Sequence, residues 1–479
     1  MNYRMISRVL GLILLAMAAL MLLPLIAGLC FHERVTNFII TIAAAAALGG
    51  LLMLPKPRSR SLVARDGFVI VGFGWILISV IGALPFVLSG SIPHFYDAFF
   101  ETASGLSTTG ASVVTDIPAM PRGDLFWRLF THWIGGMGVL VFIMAVLPMS
   151  GEHSMHIMRA EVPGPSVGKL VPRVRKTAMT LYMIYIALTL AEAFFLRLGG
   201  MSFYDALLHA CATAGTGGFS TNPASIGGFN SLYIEIVVTV FMLLFGINFN
   251  LYFLLLIGRW REVAKNEELH WFLGIVLGSV LLLAAGITKI YGSFGTALRH
   301  AFFNTATLIS TTGFGTVDFT DWPEYCKWFL MFLMFCGGCA GSTGGGIKLS
   351  RLMILGKWEV SELRQMIRPR SVVRVQLDGK RVERSTVKAA ATFFTLYMAL
   401  LLLFSFLVSL DGVDIATSFT AALSCLSNIG PGMTRAIGPA GNFAFFSDRT
   451  KLLLSLAMLL GRLEIYPILV LLSPRTWKR

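Results

Sequence analysis

Four short segments of this 479-residue chain share one pattern of residue types, and each carries a glycine near its end that the other three repeat. They read DAFFETASGLSTTGAS at 97–112, DALLHACATAGTGGFS at 205–220, HAFFNTATLISTTGFG at 300–315 and TSFTAALSCLSNIGPG at 417–432, with aligned glycines at Gly110, Gly218, Gly313 and Gly430. Extended backbone rich in Thr and Gly can present carbonyl oxygens that replace an ion's water shell, and glycine permits the backbone angles that aim them. The repeat therefore favours a selectivity filter for a dehydrated cation.

The alternative is that these Gly and Thr residues only ease helix packing in lipid. A single copy would favour that alternative, but four copies at equivalent positions favour the filter. As a helix, the dozen residues before each glycine would cover about 18 Å, which is roughly half a bilayer. Asp97 and Asp205 suit the positive N-terminal end of such a half-helix, and its C-terminal end would aim partial negative charge at the membrane centre.

A second candidate site is the stretch CGGCAGSTGGGIK at 336–348. The residues that define it are Gly337, Gly338, Gly341, Ser342, Thr343, Gly344, Gly345 and Gly346. Each glycine costs a helix about 1 kcal/mol, so we expect the apolar span around them to break into an irregular loop that lines a cavity. A phosphate-binding loop is disfavoured because Ile347 separates the last glycine from Lys348, and a close-packed glycine patch is the remaining alternative.

Ionisable residues also occur within the last apolar span. Arg462 and Glu464 lie midway along it, where such side chains are costly and usually functional. They are two residues apart and face different directions on a helix, so they are not a simple pair. The alternative for Arg462 is a structural ion pair with an acid of another span. Lys348 is expected to snorkel to the inner membrane boundary rather than to act as a ligand.

The composition requires these residues to be held in a membrane. Hydrophobic residues make up 56% of the chain and charged residues 13%, about half the charged share of a soluble domain, and disorder would need low hydrophobicity. Since a span needs about 20 apolar residues, we predict ten, at 6–29, 35–54, 67–88, 125–147, 178–198, 232–257, 271–290, 328–355, 387–410 and 452–472.

The net charge of +14 is read as an orientation signal, not as a nucleic-acid surface. Lys and Arg cluster at both ends of the chain and after every even-numbered span, which predicts that both termini are cytoplasmic. The opposite loops are acidic, and an acidic outer face concentrates cations near its openings. The basic loops at 150–176 and 359–388 are candidate docking surfaces for a regulatory partner, or carry only topogenic charge.

The predicted fold class is an all-α polytopic membrane protein. Two leading transmembrane helices precede four span–half-helix–span repeats around a pseudo-fourfold pore. We place the leading helices at 1–66 and the repeats at 67–176, 177–268, 269–384 and 385–479, the third with a broken second span.

This repeat resembles the Trk/Ktr/HKT superfamily of potassium transporters, and within it the bacterial TrkH subunits. The segments THWIGGMGV at 131–139, CAGSTGGGIKLSR at 339–351 and GRLEIYPILVLLSPRTWKR at 461–479 carry the same resemblance, which covers nearly the whole chain. It implies K⁺ as the transported ion, no bound cofactor and a place in the bacterial inner membrane among membrane lipid. It also implies a homodimer with a separate pore in each subunit and a cytoplasmic, TrkA-like nucleotide-binding partner; no nucleic acid is expected.

By motif match, the resemblance assigns the potassium-binding filter to Thr108, Thr109, Gly110, Thr216, Gly217, Gly218, Thr311, Thr312, Gly313, Asn428, Ile429 and Gly430. It makes the glycine-rich stretch a gate beneath the filter, with Arg462 reaching into the pore as an electrostatic barrier. The fourth segment departs from Thr-Thr-Gly, so side-chain oxygens are expected to contribute unevenly, and discrimination of K⁺ from Na⁺ is expected to be moderate.

Other functions stay open from the residues alone. A cation–proton symporter would use Glu464 or His209 to carry protons. An intramembrane serine protease would use Ser342, but it needs a histidine at the same depth, and none lies near. A zinc or redox site at Cys336 and Cys339 lacks the second pair or the βαβ context that such sites need.

The histidines near the membrane boundaries, His132, His209 and His300, are more typical of hydrogen-bonded structure than of proton relays. His209 and Asn304 take the place of Glu101 in their repeats. We therefore expect them in the packing around the outer part of the pore.

Overall fold

The computed structural model describes residues 1–55, 62–138, 174–369 and 375–477. Within these ranges the protein is almost wholly helical, apart from one hairpin in which Gln376–Leu377 pairs antiparallel with Lys380–Arg381. The end of the predicted span at 125–147 and most of the basic loop at 150–176 lie outside the described residues.

The apolar helices confirm the prediction of an all-α multi-pass membrane protein. In the described ranges, six are long and apolar enough to cross a membrane alone: Tyr3–Cys30, Thr36–Met53, Arg65–Ser89, Ala178–Leu198, Glu267–Tyr291 and Arg384–Ser409. A seventh crossing would be the pair Leu232–Gly246 and Phe249–Leu256, which is bent by 90°. Large apolar side chains point outward from these spans, as Leu277 (63% exposed) and Phe406 (64% exposed) do, and such surface suits lipid.

The helices follow the predicted order of two leading spans and four repeats. The first half contains α1 (Tyr3–Leu20), α2 (Leu22–Cys30), α3 (Thr36–Met53), α4 (Ala64–Ser89), α5 (Phe95–Leu106), α6 (Arg122–Gly136), α7 (Val174–Leu198), α8 (Phe203–Ala214), α9 (Leu232–Gly246), α10 (Phe249–Leu256) and α11 (Trp260–Val263). The second half contains α12 (Glu267–Tyr291), α13 (Phe294–Ile309), α14 (Glu324–Cys336), α15 (Leu349–Ile367), α16 (Arg384–Ser409), α17 (Ile415–Ser427), α18 (Asp448–Arg462), α19 (Tyr466–Leu472) and α20 (Pro474–Trp477). Short 3₁₀ turns occur at Ser225–Phe229 and Phe319–Asp321.

Each repeat contains a short helix between its two spans, as the sequence predicted. These half-helices, α5, α8, α13 and α17, have 12, 12, 16 and 13 residues. Asp97 and Asp205 lie in the first turns of α5 and α8, where the helix dipole favours a negative charge. Side chains cap two of the helices, since Ser202 accepts from the amide of Asp205 and Asp414 accepts from that of Thr417.

The helix that follows each half-helix is short. Helices α6, α9, α14 and α18 end after 15, 15, 13 and 15 residues. The break after α14 confirms the prediction from the glycine-rich stretch. The spans predicted at 232–257 and 452–472 were wrongly taken as continuous. The first restarts at Asn248, whose side chain caps α10, and the second turns through Glu464 and Ile465 at φ 54° and 70°.

Candidate functional site

The four segments that carry the aligned glycines meet and form a closed ring. We call residues 108–110, 216–218, 311–313 and 428–430 ring segments 1 to 4. A methyl group on Gly110 would overlap the carbonyl oxygen of Gly217, and one on Gly218 would overlap that of Thr312. The same holds for Gly313 against Ile429, and a methyl group on Gly430 would lie 2.8 Å from the carbonyl oxygen of Thr109. Each segment therefore contacts the next, and the fourth returns to the first.

The backbone of the four segments repeats residue by residue. Two positions before each glycine stands a residue in the left-handed region, at φ 59° for Thr108, 54° for Thr216, 59° for Thr311 and 56° for Asn428. Such a conformation costs a non-glycine residue about 1–3 kcal/mol and persists only where the surroundings hold it. The fourth segment shares the geometry although its sequence is Asn-Ile-Gly.

One hydrogen bond in each segment ties the backbone to its half-helix. The amide of each middle residue donates to a carbonyl five residues earlier, near the end of its half-helix. The four bonds are Thr109 N to Ser104 O (2.8 Å), Gly217 N to Ala212 O (2.9 Å), Thr312 N to Thr307 O (2.8 Å) and Ile429 N to Ser424 O (3.0 Å). Because a trans peptide unit points its C=O opposite to its N–H, each bond turns the carbonyl of the first residue of its segment away from the half-helix. The carbonyl oxygen of the middle residue lies against the aligned glycine of a neighbouring segment.

A cavity of about 190 Å³ lies at the glycine end of the ring. All four aligned glycines line it, together with polar groups that include Arg128 and Ser220. This end is the predicted outer side, because the half-helices begin on that side.

The glycine-rich loop, residues 337–348, lies at the other end of the ring. The amide of Gly345 donates to the Thr311 hydroxyl at 2.6 Å. A methyl group on Gly344 would lie 2.8 Å from the carbonyl oxygen of Ser310, and one on Gly345 would overlap that of Ser427. The loop thus abuts the residues that lead into ring segments 3 and 4.

The breaks in the neighbouring spans hold the glycine-rich loop in place. Where α9 ends, Gly246 O accepts from the amide of Cys339 at 2.9 Å, and Phe249 N donates to Gly341 O at 3.0 Å. The carboxylate of Glu268 accepts from Ala340 N at 2.8 Å and from Ser350 N at 3.1 Å. Backbone groups that lose their helical partners at one break therefore form hydrogen bonds with those that lose their partners at the other.

Arg462 joins the glycine-rich loop to the first repeat. Its guanidinium is buried and donates to Thr343 O and to Gly136 O, both at 2.6 Å, and also to Gly135 O. Glu464 instead accepts two hydrogen bonds from Arg351, the shorter at 2.6 Å. The two charges thus act at different places, as their spacing predicted.

The expectation that Lys348 snorkels to the membrane boundary is wrong. Its side chain is 1% exposed, and Nζ donates to Gly344 O and, at 3.4 Å, to the Ser342 hydroxyl. The physical reason is the break itself, because Lys348 has φ 76° and the chain turns inward there instead of continuing as a helix. Lys348 is part of the loop's internal hydrogen bonding.

Comparison with known proteins assigns the chain to a family. The TrkH family model, described as a cation transport protein, matches residues 34–293 and 291–479. The Trk system potassium uptake protein TrkH of Salmonella typhimurium is 37% identical over 486 residues, and that of Escherichia coli 36%, each alignment covering both chains fully. The crystal structure of the potassium transporter TrkH from Vibrio parahaemolyticus matches with a TM-score of 0.89 at 34% identity over all of both chains.

The chain belongs to the TrkH family. This is a transport family and not an enzyme family, so the interpretation of Ser342 as a protease nucleophile is discarded. In the TrkH-family chain described here, the Ser342 hydroxyl donates to Cys339 O at 2.7 Å, within the loop. Cys336 and Cys339 are both free thiols.

A buried ion pair supports the residues that follow ring segments 1 and 2, on the side of the cavity. Arg128 Nε donates to Glu101 at 2.6 Å, and the two side chains are 2% and 0% exposed. Arg128 also donates to Ser220 O at 3.2 Å, and its guanidinium lies 3.7 Å from the centre of the Phe219 ring. Glu101 accepts from Val113 N at 2.9 Å. Glu101 stands out in the repeat, whereas Arg128 was missed; its signal is a basic residue within an apolar span.

The residues that replace Glu101 in the next two repeats are also buried behind the ring. His209 contacts the Ser220 hydroxyl through Nε2 at 2.9 Å and Asp205 O through Nδ1 at 2.8 Å, and Asn304 donates to His300 O at 2.9 Å. His132 contacts Gly105 O through Nδ1 at 2.8 Å and accepts from Phe219 N at 3.2 Å. His132 and His209 therefore agree with the expectation of hydrogen-bonded structural histidines.

The side chain of Asn428 ties the fourth segment into the ring. Its Nδ2 donates to the Thr109 hydroxyl at 2.9 Å and to Met458 O at 2.8 Å. In segments 1 and 3 the middle threonine instead contacts a serine two residues earlier, at 2.7 Å in both. The departure from Thr-Thr-Gly thus replaces a local contact with one that bridges two segments.

Proposed function

We propose that this protein takes up potassium across the bacterial inner membrane, and that the ions pass through the ring of four segments. The observation that carries the proposal is the closed ring, in which four segments with the same left-handed residue and the same positive-φ glycine turn one carbonyl each toward their neighbours. The TrkH relatives are named as potassium uptake proteins.

The chemistry of the ring suits a dehydrated monovalent cation. Backbone carbonyl oxygens can replace the water shell of an ion. The four half-helices also end next to the ring, so their negative dipole ends add to the attraction for a cation. One such position per segment offers fewer rings of carbonyls than a filter of several successive carbonyls, and we expect moderate discrimination of K⁺ from Na⁺.

The glycine-rich loop is proposed as the gate, with Gly337, Gly338, Gly341, Ser342, Thr343, Gly344, Gly345, Gly346 and Arg462 as its residues. Support for the gate comes from its contacts at Ser310, Thr311 and Ser427, at the end of the ring opposite the cavity. Arg462 places a positive charge beside it and holds Thr343. Ion passage would require the loop to move away, and its glycines permit the change of backbone angles.

The proposed assembly is a homodimer with a separate pore in each subunit and both termini in the cytoplasm. A TrkA-like nucleotide-binding subunit would regulate it from the cytoplasmic side, at the basic loops 150–176 and 359–388. Support comes from the name of the relatives, which describes a Trk system, and from the even-numbered basic loops.

The runner-up function is cation–proton symport. The two residues that the sequence offered as proton carriers are both engaged, Glu464 with Arg351 and His209 with Asp205 O and Ser220. This observation favours a channel-like path over either of those carriers.

The test is flux of ⁸⁶Rb⁺ in proteoliposomes, with and without a pH gradient, and with K⁺, Na⁺ or Li⁺ as competitor. We expect flux that K⁺ suppresses more strongly than Na⁺ does, at the same rate with and without the gradient. A rate that rises with the gradient would establish symport. Absence of Rb⁺ and K⁺ flux under both conditions would overturn the proposal.

A further inference from the structure

Glu192 is a carboxylic acid buried in the membrane part of the protein, where the proposed function gives it no task. It lies in α7, the first span of the second repeat, and is 0% exposed. Neither of its carboxyl oxygens has a hydrogen-bond partner. Among the salt bridges of the described residues, none involves Glu192.

The groups that face Glu192 are neutral. Thr213 and Cys211 of half-helix α8 lie next to it, and Tyr185 lies on its own helix. The Thr213 hydroxyl donates to His209 O at 2.9 Å, and the Tyr185 hydroxyl donates to Trp133 O at 3.0 Å. Both hydroxyl groups therefore donate to backbone carbonyls.

Charged and titratable groups on the other helices that pack against α7 are engaged elsewhere. On α9, Glu235 pairs with Arg299, with 2.6 Å between its carboxylate and Arg299 Nε. On α10, the Tyr252 hydroxyl donates to Leu244 O at 2.6 Å. The charge of Arg462 lies near Tyr185, but its guanidinium donates hydrogen bonds to the carbonyl oxygens of Thr343, Gly135 and Gly136. No basic side chain in the described part of the chain offers Glu192 a counter-charge.

The position of Glu192 connects it to ring segment 2. Thr213, which faces it, lies near the end of α8, and its carbonyl accepts the amide of Thr216 at 2.8 Å. Thr216 is the first residue of ring segment 2. A change in the charge of Glu192 would thus act one hydrogen bond away from the ring.

From this geometry we propose that Glu192 is a proton-binding site behind ring segment 2, and that transport falls when it loses its proton. An ionised carboxylate buried without a donor is strongly unfavourable, so the site holds a neutral carboxylic acid. Once ionised, the carboxylate would draw the Thr213 hydroxyl from His209 O and loosen the end of α8 where ring segment 2 begins. The effect on transport rests on the proposed function, whereas the proton site itself does not.

Infrared difference spectroscopy of the purified, full-length protein tests the proton site without transport. We expect the carbonyl-stretch band of a neutral carboxylic acid at neutral pH, absent from Glu192→Gln and unchanged in the control Glu359→Gln on an exposed surface. If Glu192→Gln does not elute as a monodisperse peak, the wild-type spectrum is compared with that of Glu192→Met instead. An identical band in wild-type protein and in both Glu192 variants would overturn the proposal.

The second measurement is ⁸⁶Rb⁺ flux in proteoliposomes as the pH is raised. We expect the wild-type flux to fall by half at the pH at which half of the Glu192 band is lost. Glu192→Gln should retain flux within about twofold of wild type at neutral pH and lose the pH dependence, because glutamine stays neutral. The same pH profile in Glu192→Gln would overturn the link to transport. A band that titrates in protein without flux at any pH would overturn the proposed function and leave the proton site standing.

Discussion

At the scale of single residues, the aligned glycines combine a positive φ with a position that has no room for a side chain. Gly313 has φ 88°, and a side chain there would overlap Ile429 O. Glycine was identifiable from the sequence because it recurs at one position of four repeats. The residues that hold the ring were harder to find. Arg128 was missed within its apolar span and Lys348 was expected at the membrane boundary, whereas tertiary contacts bury both side chains.

Gly313→Ala tests the ring at one of the aligned glycines, where a side chain has no room. A left-handed alanine costs about 1–2 kcal/mol, and overlap with Ile429 O adds to this, so we expect a lower melting temperature and reduced preference for K⁺ over Na⁺. The measurements are thermal unfolding in detergent and competition against Rb⁺ flux. Two variants serve as controls, because an added methyl group would meet no atom within 4 Å at either position. Gly258→Ala shares the positive φ of Gly313, and Gly278→Ala lies within a helix. Selectivity equal to that of these two controls would contradict the assignment.

Arg462→Gln tests the gate. Hydrogen bonds from a charged donor contribute about 1.5–3 kcal/mol each, and the variant loses several of those that hold Thr343 and the end of α6. The equilibrium should shift toward a displaced loop, and the Rb⁺ flux should rise by roughly tenfold. Arg259→Gln, in an exposed pair with Glu262, is the control. Flux at or below the wild-type rate, in variant protein that elutes as a monodisperse peak, would contradict the gate.

At the scale of helices and loops, the half-helices could be predicted and two of the breaks could not. The half-helices follow from a repeat whose length is half a membrane. The glycine-rich stretch predicted its own break by composition. The breaks after α9 and α18 lie in predicted spans that hold one glycine each, Gly246 and Gly461. They are stabilised by distant partners, such as the amide of Cys339 on Gly246 O, and no local pattern records such a partner.

Glu268→Ala tests how the glycine-rich loop is held. The substitution leaves two amides, of Ala340 and Ser350, without their acceptor, and each buried unsatisfied group costs about 1–3 kcal/mol. Hydrogen exchange across 338–350 should become faster, while exchange in the half-helices stays as in wild type. Glu267→Ala removes the adjacent carboxylate, which pairs with Lys357 instead, and should leave the loop protected. Equal protection in both variants would show that Glu268 does not hold the loop.

Asp414 offers a pH test of half-helix capping. A hydrogen bond from the Thr417 hydroxyl holds the pKa of the Asp414 carboxyl below its ordinary value, so its contribution is present at neutral pH and lost as pH falls through the lowered pKa. Asp414→Ala should destabilise the protein by about 1 kcal/mol at neutral pH. The difference from wild type should vanish in acid, where the wild-type carboxyl is protonated as well. A difference that persists unchanged at low pH would exclude the carboxylate as the cause.

At the scale of the whole molecule, the sequence contained the number and order of the parts. Four repeats after two leading spans predicted four segments around one centre, and the structure brings the four together in sequence order. The boundaries at 67–176, 177–268, 269–384 and 385–479, the orientation, the homodimer and the regulatory partner stay predictions. Which polar groups support the ring depends on contacts between repeats, such as Arg128 with Ser220 O and Asn428 with Thr109.

The most direct measurement of the central claim is anomalous diffraction from crystals grown in Rb⁺. If ions pass through the ring, an anomalous peak will lie on its axis, close to the carbonyl oxygens of the middle residues Thr109, Gly217, Thr312 and Ile429. The peak will weaken when K⁺ is added and persist when Na⁺ is added at the same concentration. A ring without a Rb⁺ peak, in crystals that show Rb⁺ bound within another part of the membrane region, would contradict the account.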